Sequence, residues 1–172
     1  MKLWLPLIGF LALVAVAIWG LARPADRAVR SAMVGKPLPD FTLAPVVAGK
    51  PGLSSAAFRD GKPRLLNVFA SWCVPCAAEA PQLGKLKALG ARIEAAAIRD
   101  KPEDVRAFLT RYGDPFAAIG GDPESALQLT LGSSGVPETF VVDGKGRIVL
   151  QHIGDIRDEH IPVIIAALER AK

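Results

Sequence analysis

Arg64-Leu65-Leu66-Asn67-Val68-Phe69-Ala70-Ser71-Trp72-Cys73-Val74-Pro75-Cys76 is the stretch on which the reading of this chain turns. Its first seven residues are almost continuously apolar, as in a strand buried on both faces of a sheet. Beyond Pro75, the residues Ala80, Leu83, Leu86 and Leu89 recur at roughly helical spacing, so a helix follows the strand at once. Cys73 then lies at the N-terminal end of a helix and Cys76 one turn further on, more buried. Unpaired backbone N–H groups and the positive end of the helix dipole stabilise a thiolate at Cys73. Cys73 is therefore the expected nucleophile and Cys76 the thiol that resolves a mixed disulfide. Pro75 suits a first helical turn, where its missing N–H costs nothing.

Composition narrows the chemistry further. The two cysteines of this pair are the only ones in the chain, whereas a disulfide-stapled scaffold needs several spread pairs. A structural zinc site is short of ligands, because only His152 and His160 are available and neither stands at finger spacing. No metal and no cofactor are expected, and both histidines read as structural or exposed. The net charge of +4 comes from 21 Lys and Arg against 17 Asp and Glu scattered along the chain. They form no basic stripe with interleaved aromatics, which argues against a nucleic-acid partner.

Working outward, a short strand is expected at Phe41 to Leu43 and a brief, serine-capped helix at Leu53 to Phe58. After the cysteine helix come a strand at Arg92 to Ile98 and a helix at Pro102 to Tyr112, with Val105, Phe108 and Leu109 on one face. A strand at Phe116 to Ile119 and a small helix from Pro123 to Leu131 follow. Strands at Glu138 to Val142 and Arg147 to Gln151 flank Asp143-Gly144-Lys145-Gly146, a hairpin turn signal. A last amphipathic helix carries Ile161, Ile164, Ile165 and Leu168. This alternation predicts an α/β domain with a central sheet and helices on both faces.

The N-terminus reads differently. Leu3 to Ala22 is a run of 20 uncharged residues with Trp4 and Trp19 near its ends, a length and pattern that suit a bilayer-spanning helix. The rival is a cleaved signal peptide, for which Gly20-Leu21-Ala22 is the one weak cleavage site. The expected division is a membrane anchor at 1–22, a tether at 23–36 and a folded domain at 37–172. Lys2 precedes the apolar run while Arg23, Arg27, Arg30 and Lys36 follow it, so charge counting alone leaves the C-terminal domain in the cytoplasm.

Leu66 to Cys76 resembles the active-site strand and loop of the thioredoxin superfamily, and Pro81, eight residues beyond Cys73, falls where that family has its kinking helix proline. Gly135-Val136-Pro137-Glu138-Thr139-Phe140 resembles the cis-proline loop of the membrane-anchored cytochrome c maturation reductases. The strand and helix between Ala91 and Leu131 resemble the central insertion of that subgroup. The resemblance spans roughly Gly35 to Lys172. It implies a thioredoxin-like fold with a mixed sheet, a cis Pro137, and a substrate surface formed by Trp72, Val74, Pro75, Val136 and Pro137, the Val136 backbone pairing with an extended substrate. It also implies a protein-disulfide reductase that is held at the bacterial inner membrane and faces the periplasm. Such a protein receives electrons from a membrane thiol-transfer donor and reduces apocytochrome c, or its haem-ligation machinery, before haem attachment.

One position departs from the pattern. Many thioredoxins have a buried aspartate six residues before the first cysteine, where this chain has Asn67, which cannot act as a general base. Glu138, and after it Glu79, are the candidates to tune Cys76; each has a plain alternative, a solvated surface acid and a residue of an exposed helix face. Three other functions stay open. They are a disulfide-forming oxidase or isomerase, although Val74-Pro75 lacks the histidine of strongly oxidising relatives, a peroxidase, and a non-catalytic metal or haem chaperone. Lys36 to Leu43 resembles peroxiredoxin openings, but no proline and threonine stand at peroxidatic spacing before Cys73.

Overall fold

A computed structural model describes residues 4, 7–14 and 33–172, and the chain falls into two units, Met1–Arg30 and Ser31–Lys172. In the first unit residues 4 and 7–14 are helical and largely exposed. Among the described residues no helix is long and apolar enough to cross a membrane. The rest of the expected anchor, and the tether up to residue 32, lie outside the described residues.

In the second unit a five-stranded sheet runs in the order β5-β4-β3-β6-β7, with β3 (Arg64–Phe69), β4 (Ile93–Ile98), β5 (Ala118–Asp122), β6 (Glu138–Val142) and β7 (Ile148–Ile153). Every residue of β3, the central strand, is buried, as its nearly continuous apolar run leads one to expect. It pairs parallel with β4 and antiparallel with β6, and β4 pairs parallel with β5. The sheet is therefore mixed.

Helix α1 (Val74–Ala88) packs against α2 (Pro102–Tyr112) and α4 (Ile161–Arg170), while the short α3 (Ala126–Thr130) lies against β5. Successive strand side chains alternate between faces. Asn67 and Phe69 point to these helices, where Phe69 stacks on Phe116 at 5.1 Å and meets Phe108 at 5.5 Å. On α1 the buried positions are Cys76, Glu79, Ala80, Leu83 and Leu86. Leu89, counted with them by spacing, is instead the C-cap residue and 63% exposed.

The opposite face of β3 meets the 3-10 helix Ser55–Arg59, whose Phe58 is fully buried under the Arg64 guanidinium, 5.6 Å from the ring centre. Arg64 is itself 1% exposed and donates to Glu94 Oε1 at 3.0 Å and to the Asp60 carboxylate. Glu94, equally buried, also accepts from Arg92 Nε at 2.7 Å, yet its Oε2 and the Arg64 Nε have no partner. The serine cap expected for this helix is absent. Ser54 makes no side-chain cap bond, and the Ser55 hydroxyl donates to Asp40 Oδ1 at 3.2 Å instead.

Chain that precedes β3 covers the β5 edge of the sheet and the start of the β7 edge. Strands β1 (Thr42–Leu43) and β2 (Leu53–Ser54) pair antiparallel. The segment around them bonds to β5 through Gly121 N to Ala44 O, Val46 N to Ile119 O and Ile119 N to Pro51 O. The approach is so close that a Cβ on Gly120 would lie 2.5 Å from the Leu43 Cβ, so only glycine fits there. At the other edge Gly35 and Lys36 exchange hydrogen bonds with Ile148, and Leu38 N donates to Gly146 O. Gly35 and Lys36, inside the stretch expected to be tether, are thus paired with the sheet. The β6–β7 turn forms as its sequence predicts, Asp143 Oδ1 accepting from Lys145 N and Arg147 N at 2.9 and 2.8 Å.

Candidate active site

Cys73 is the N-cap of α1, and its Sγ accepts a hydrogen bond from Cys76 N at 3.2 Å. This is one of the orphan donors of a helix start, and here it addresses sulfur rather than a capping oxygen. Cys73 and Cys76 are joined in a disulfide, with Cα atoms 5.2 Å apart. Pro75 occupies the first turn and Pro81 lies inside the helix. The two cysteines are almost equally buried, 5% and 2% exposed, so the expected contrast in burial is slight in this oxidised state. What distinguishes them is position, since Cys73 holds the dipole end while Cys76 turns inward. Around the pair Trp72 and Val74 stand out at 58% and 80% exposed, an apolar rim beside the disulfide.

The loop that delivers Cys73 is clamped from the β4–α2 connection. Asp100 accepts from both the Ser71 N–H and the Ser71 hydroxyl at 2.5 Å, and Trp72 Nε1 donates to Arg99 O at 3.3 Å. Arg99 adopts a left-handed backbone with φ 47°, a conformation uncommon outside glycine. Its N–H donates to Asp122 O at 3.2 Å. Neither Arg99 nor Asp100 was picked out by sequence reasoning, because their partners lie across a strand junction that spacing does not reveal.

Strand direction brings the second half of the site to the same pole. β3 and β6 run antiparallel, so the end of β3 that leads to Cys73 lies beside the start of β6, which follows Pro137 directly. Asn67 faces Thr139 in register, and its Nδ2 donates to Thr139 Oγ1 at 2.9 Å. The Val136–Pro137 peptide is cis. Pro137 O accepts from Gly154 N at 3.0 Å, and Ser133 Oγ donates to Gly135 O at 2.9 Å. Among the described residues neither main-chain group of Val136 is hydrogen-bonded. Trp72, Gly135 and Val136 line one groove.

Both tuning candidates are buried, contrary to their plain alternatives. Glu138 is fully buried, with Gln151 Nε2 donating to Oε1 and no partner for Oε2. Burial raises its pKa, opposed by the Gln151 hydrogen bond. Glu79 is 1% exposed, one turn beyond Cys76 on the same inward face. Its Oε1 accepts from Asn67 Nδ2 and its Oε2 from Ile156 N, each at 3.0 Å. Burial pushes the Glu79 carboxyl up to about 7 despite these donors, and the nearby Asp155 charge adds to the rise. Asn67, Cys76 and Glu79 together line a narrow crevice. A carboxyl poised to exchange its proton near neutral pH thus shares that crevice with Cys76. His152 and His160 pack ring against ring at 4.4 Å, and burial lowers the His152 pKa.

The raised Glu79 pKa carries a stability signature. A carboxyl raised in the fold contributes stability that is fully present below its ordinary value of 4.5 and is lost as pH climbs through about 7. Denaturant unfolding of oxidised wild type should show that decline between pH 5 and 8. Glu79→Gln should flatten it by about 1 to 3 kcal/mol. Parallel pH curves for the two proteins would mean that Glu79 titrates normally.

A strand-fed helix capped by a redox cysteine pair, facing a cis-proline loop, defines the thioredoxin-like disulfide oxidoreductases. Residues 33–168 match the Redoxin family model, and the chain belongs to that family of thiol:disulfide oxidoreductases. It is 37% identical to the thiol:disulfide interchange protein HelX of Rhodobacter capsulatus over 92% of this chain and 90% of that one. With the thiol:disulfide interchange protein DsbE of Escherichia coli K12 it shares 39% identity over 90% of this chain and 85% of the other. Among solved structures, a thiol:disulfide interchange protein DsbE of Chlorobium tepidum superimposes with a TM-score of 0.62 at 26% identity, over 78% of this chain and 94% of that one.

Proposed function

We propose that this protein reduces the disulfide of apocytochrome c Cys-x-x-Cys-His sites before haem attachment. The observation that carries the reading is the Cys73–Cys76 disulfide at the head of α1, set beside a free main-chain edge at Val136 next to cis Pro137. The kinship with thiol:disulfide interchange proteins supports it. The substrate follows from the likeness of Gly135 to Phe140 to the loop of the cytochrome c maturation reductases.

In the reduced enzyme the Cys73 thiolate attacks one sulfur of the substrate disulfide. A Cys73–substrate bond forms and the other substrate sulfur leaves as thiolate. The Cys76 thiol passes its proton toward Glu79, with Glu138 as a second buried acid close to the loop, and the resulting thiolate attacks Cys73 Sγ. The second substrate sulfur is released, so the substrate gains two electrons and the enzyme closes its own disulfide. A dithiol donor in the membrane then returns the enzyme to the reduced state. Trp72, Val74 and Pro75 present the apolar rim to the client, and Val136 pairs with its backbone. The uncharged run from Leu3 to Ala22 supports a single-pass anchor followed by a tether to residue 36, with the catalytic domain in the periplasm.

The test uses reduced Cys76→Ser protein mixed with oxidised apocytochrome c. A mixed disulfide through Cys73 should accumulate, and a redox titration of the wild-type pair should give a reducing potential. A strongly oxidising potential with no trapped adduct would point to the oxidase direction instead.

A further inference from the structure

The groove beside the disulfide runs from Trp72 past Ile98 and Arg99 to Ser133, Ser134 and Val136. Leu129 also lines it and is 68% exposed, so with Trp72 it gives the groove apolar walls. Arg99 is the only charged residue on its lining, and it is exposed. Among the described residues its guanidinium makes no ion pair, and the two acids nearest it along β4 and β5 are engaged elsewhere. Asp100 is taken up by Ser71, and Asp122 by the backbone N–H groups of Ala126 and Gln128. The left-handed backbone of Arg99 uses its own carbonyl to hold the Trp72 indole, which fixes the residue at the groove wall.

We infer that Arg99 is a specificity residue that selects polypeptide substrates carrying a carboxylate side chain two residues from the attacked cysteine. The inference rests on the reductase reading above. A client paired with the Val136 backbone lies extended, so side chains two residues either side of its cysteine face the enzyme as that cysteine does, about 7 Å along the strand. An acidic residue there meets an unpaired cation beside apolar walls, an attraction that salt weakens. The guanidinium is a fork suited to carboxylate oxygens.

The test compares reduction of Cys-x-x-Cys disulfide peptides that differ only in bearing glutamate or lysine two residues before or after the pair. Reduced wild-type protein should turn over the better-placed glutamate peptide roughly three- to tenfold faster than its lysine twin at low ionic strength, and salt should erode the difference. Arg99→Asn keeps a residue that tolerates the left-handed backbone and should equalise the rates, while Arg99→Lys should retain a preference. A merely structural role for Arg99 would slow both peptides alike. Equal wild-type rates, or a preference that survives in Arg99→Asn, overturn the inference while leaving the reductase reading intact. Reduction of neither peptide overturns both. Should the variants fail to fold, the wild-type preference and its salt dependence decide alone.

Discussion

Cys73→Ser brings disulfide reduction down to the uncatalysed rate, a loss on the order of 10³-fold or more, whereas Cys76→Ser still completes one half-reaction and then stops. The asymmetry follows from position. Only Cys73 sits where a helix start offers an N–H and the dipole to a developing thiolate, its Sγ 3.2 Å from Cys76 N. A serine hydroxyl there keeps the cap but does not ionise near neutral pH. The Cys76 sulfur faces the crevice with Asn67 and Glu79, out of a client's reach. Rapid mixing of each reduced variant with excess disulfide substrate separates the cases, since Cys76→Ser should show a stoichiometric burst and Cys73→Ser none. A burst from Cys73→Ser would reverse the assignment of nucleophile and resolver.

Arg64→Met lowers stability by about 3 kcal/mol or more, because it leaves Glu94 in the interior with only the rim residue Arg92 to answer its charge. Arg64→Met combined with Glu94→Leu should recover most of that loss, since an apolar pair of similar volume needs no desolvation of two ions. Denaturant midpoints of the three proteins check both parts, and a double variant no better than the single one would show that the charges themselves hold the strand. Arg64 opens β3 while the cysteine loop follows its far end, roughly 16 Å along the strand. Disulfide reduction by the folded fraction should therefore be unaltered.

The redox centre and most of the fold were legible because their signals are local. A nearly continuous apolar run followed by helical spacing specifies β3, the loop and α1. The turn at Asp143 to Gly146 specifies its hairpin through one aspartate side chain. What escaped depends on partners far away in sequence. Glu79 looks like a surface helix residue until Ile156, 77 positions later, supplies an N–H to its carboxylate. Glu138 looks solvated until β7 brings Gln151 over it.

Element boundaries slipped for similar reasons. The small helix starts at Ala126 rather than Pro123, since Ser125 turns left-handed and the Asp122 carboxylate takes up the N–H groups of Ala126 and Gln128. β5 begins at Ala118, two residues later than its apolar pattern suggests, with Lys50 Nζ drawn to the Phe116 carbonyl. Helices lie on both faces as expected, but unequally: α1, α2 and the last helix form one layer, and the opposite face over β3 carries the 3-10 helix. β1 falls inside the strand expected at Phe41 to Leu43, whereas the two residues of β2 carry too little periodicity to be told from the start of the helix expected there.

The covering of β5 and of the start of β7 by upstream chain bears on how an enzyme can handle unfolded clients without being recruited into their aggregates. An open ladder would template further strands without limit. Here upstream chain occupies the flank of β5 and the start of β7, which shortens the ladder left open, while Val136 offers a single main-chain unit next to the sulfur chemistry. So brief a grip holds a polypeptide long enough for thiol exchange and then lets it go.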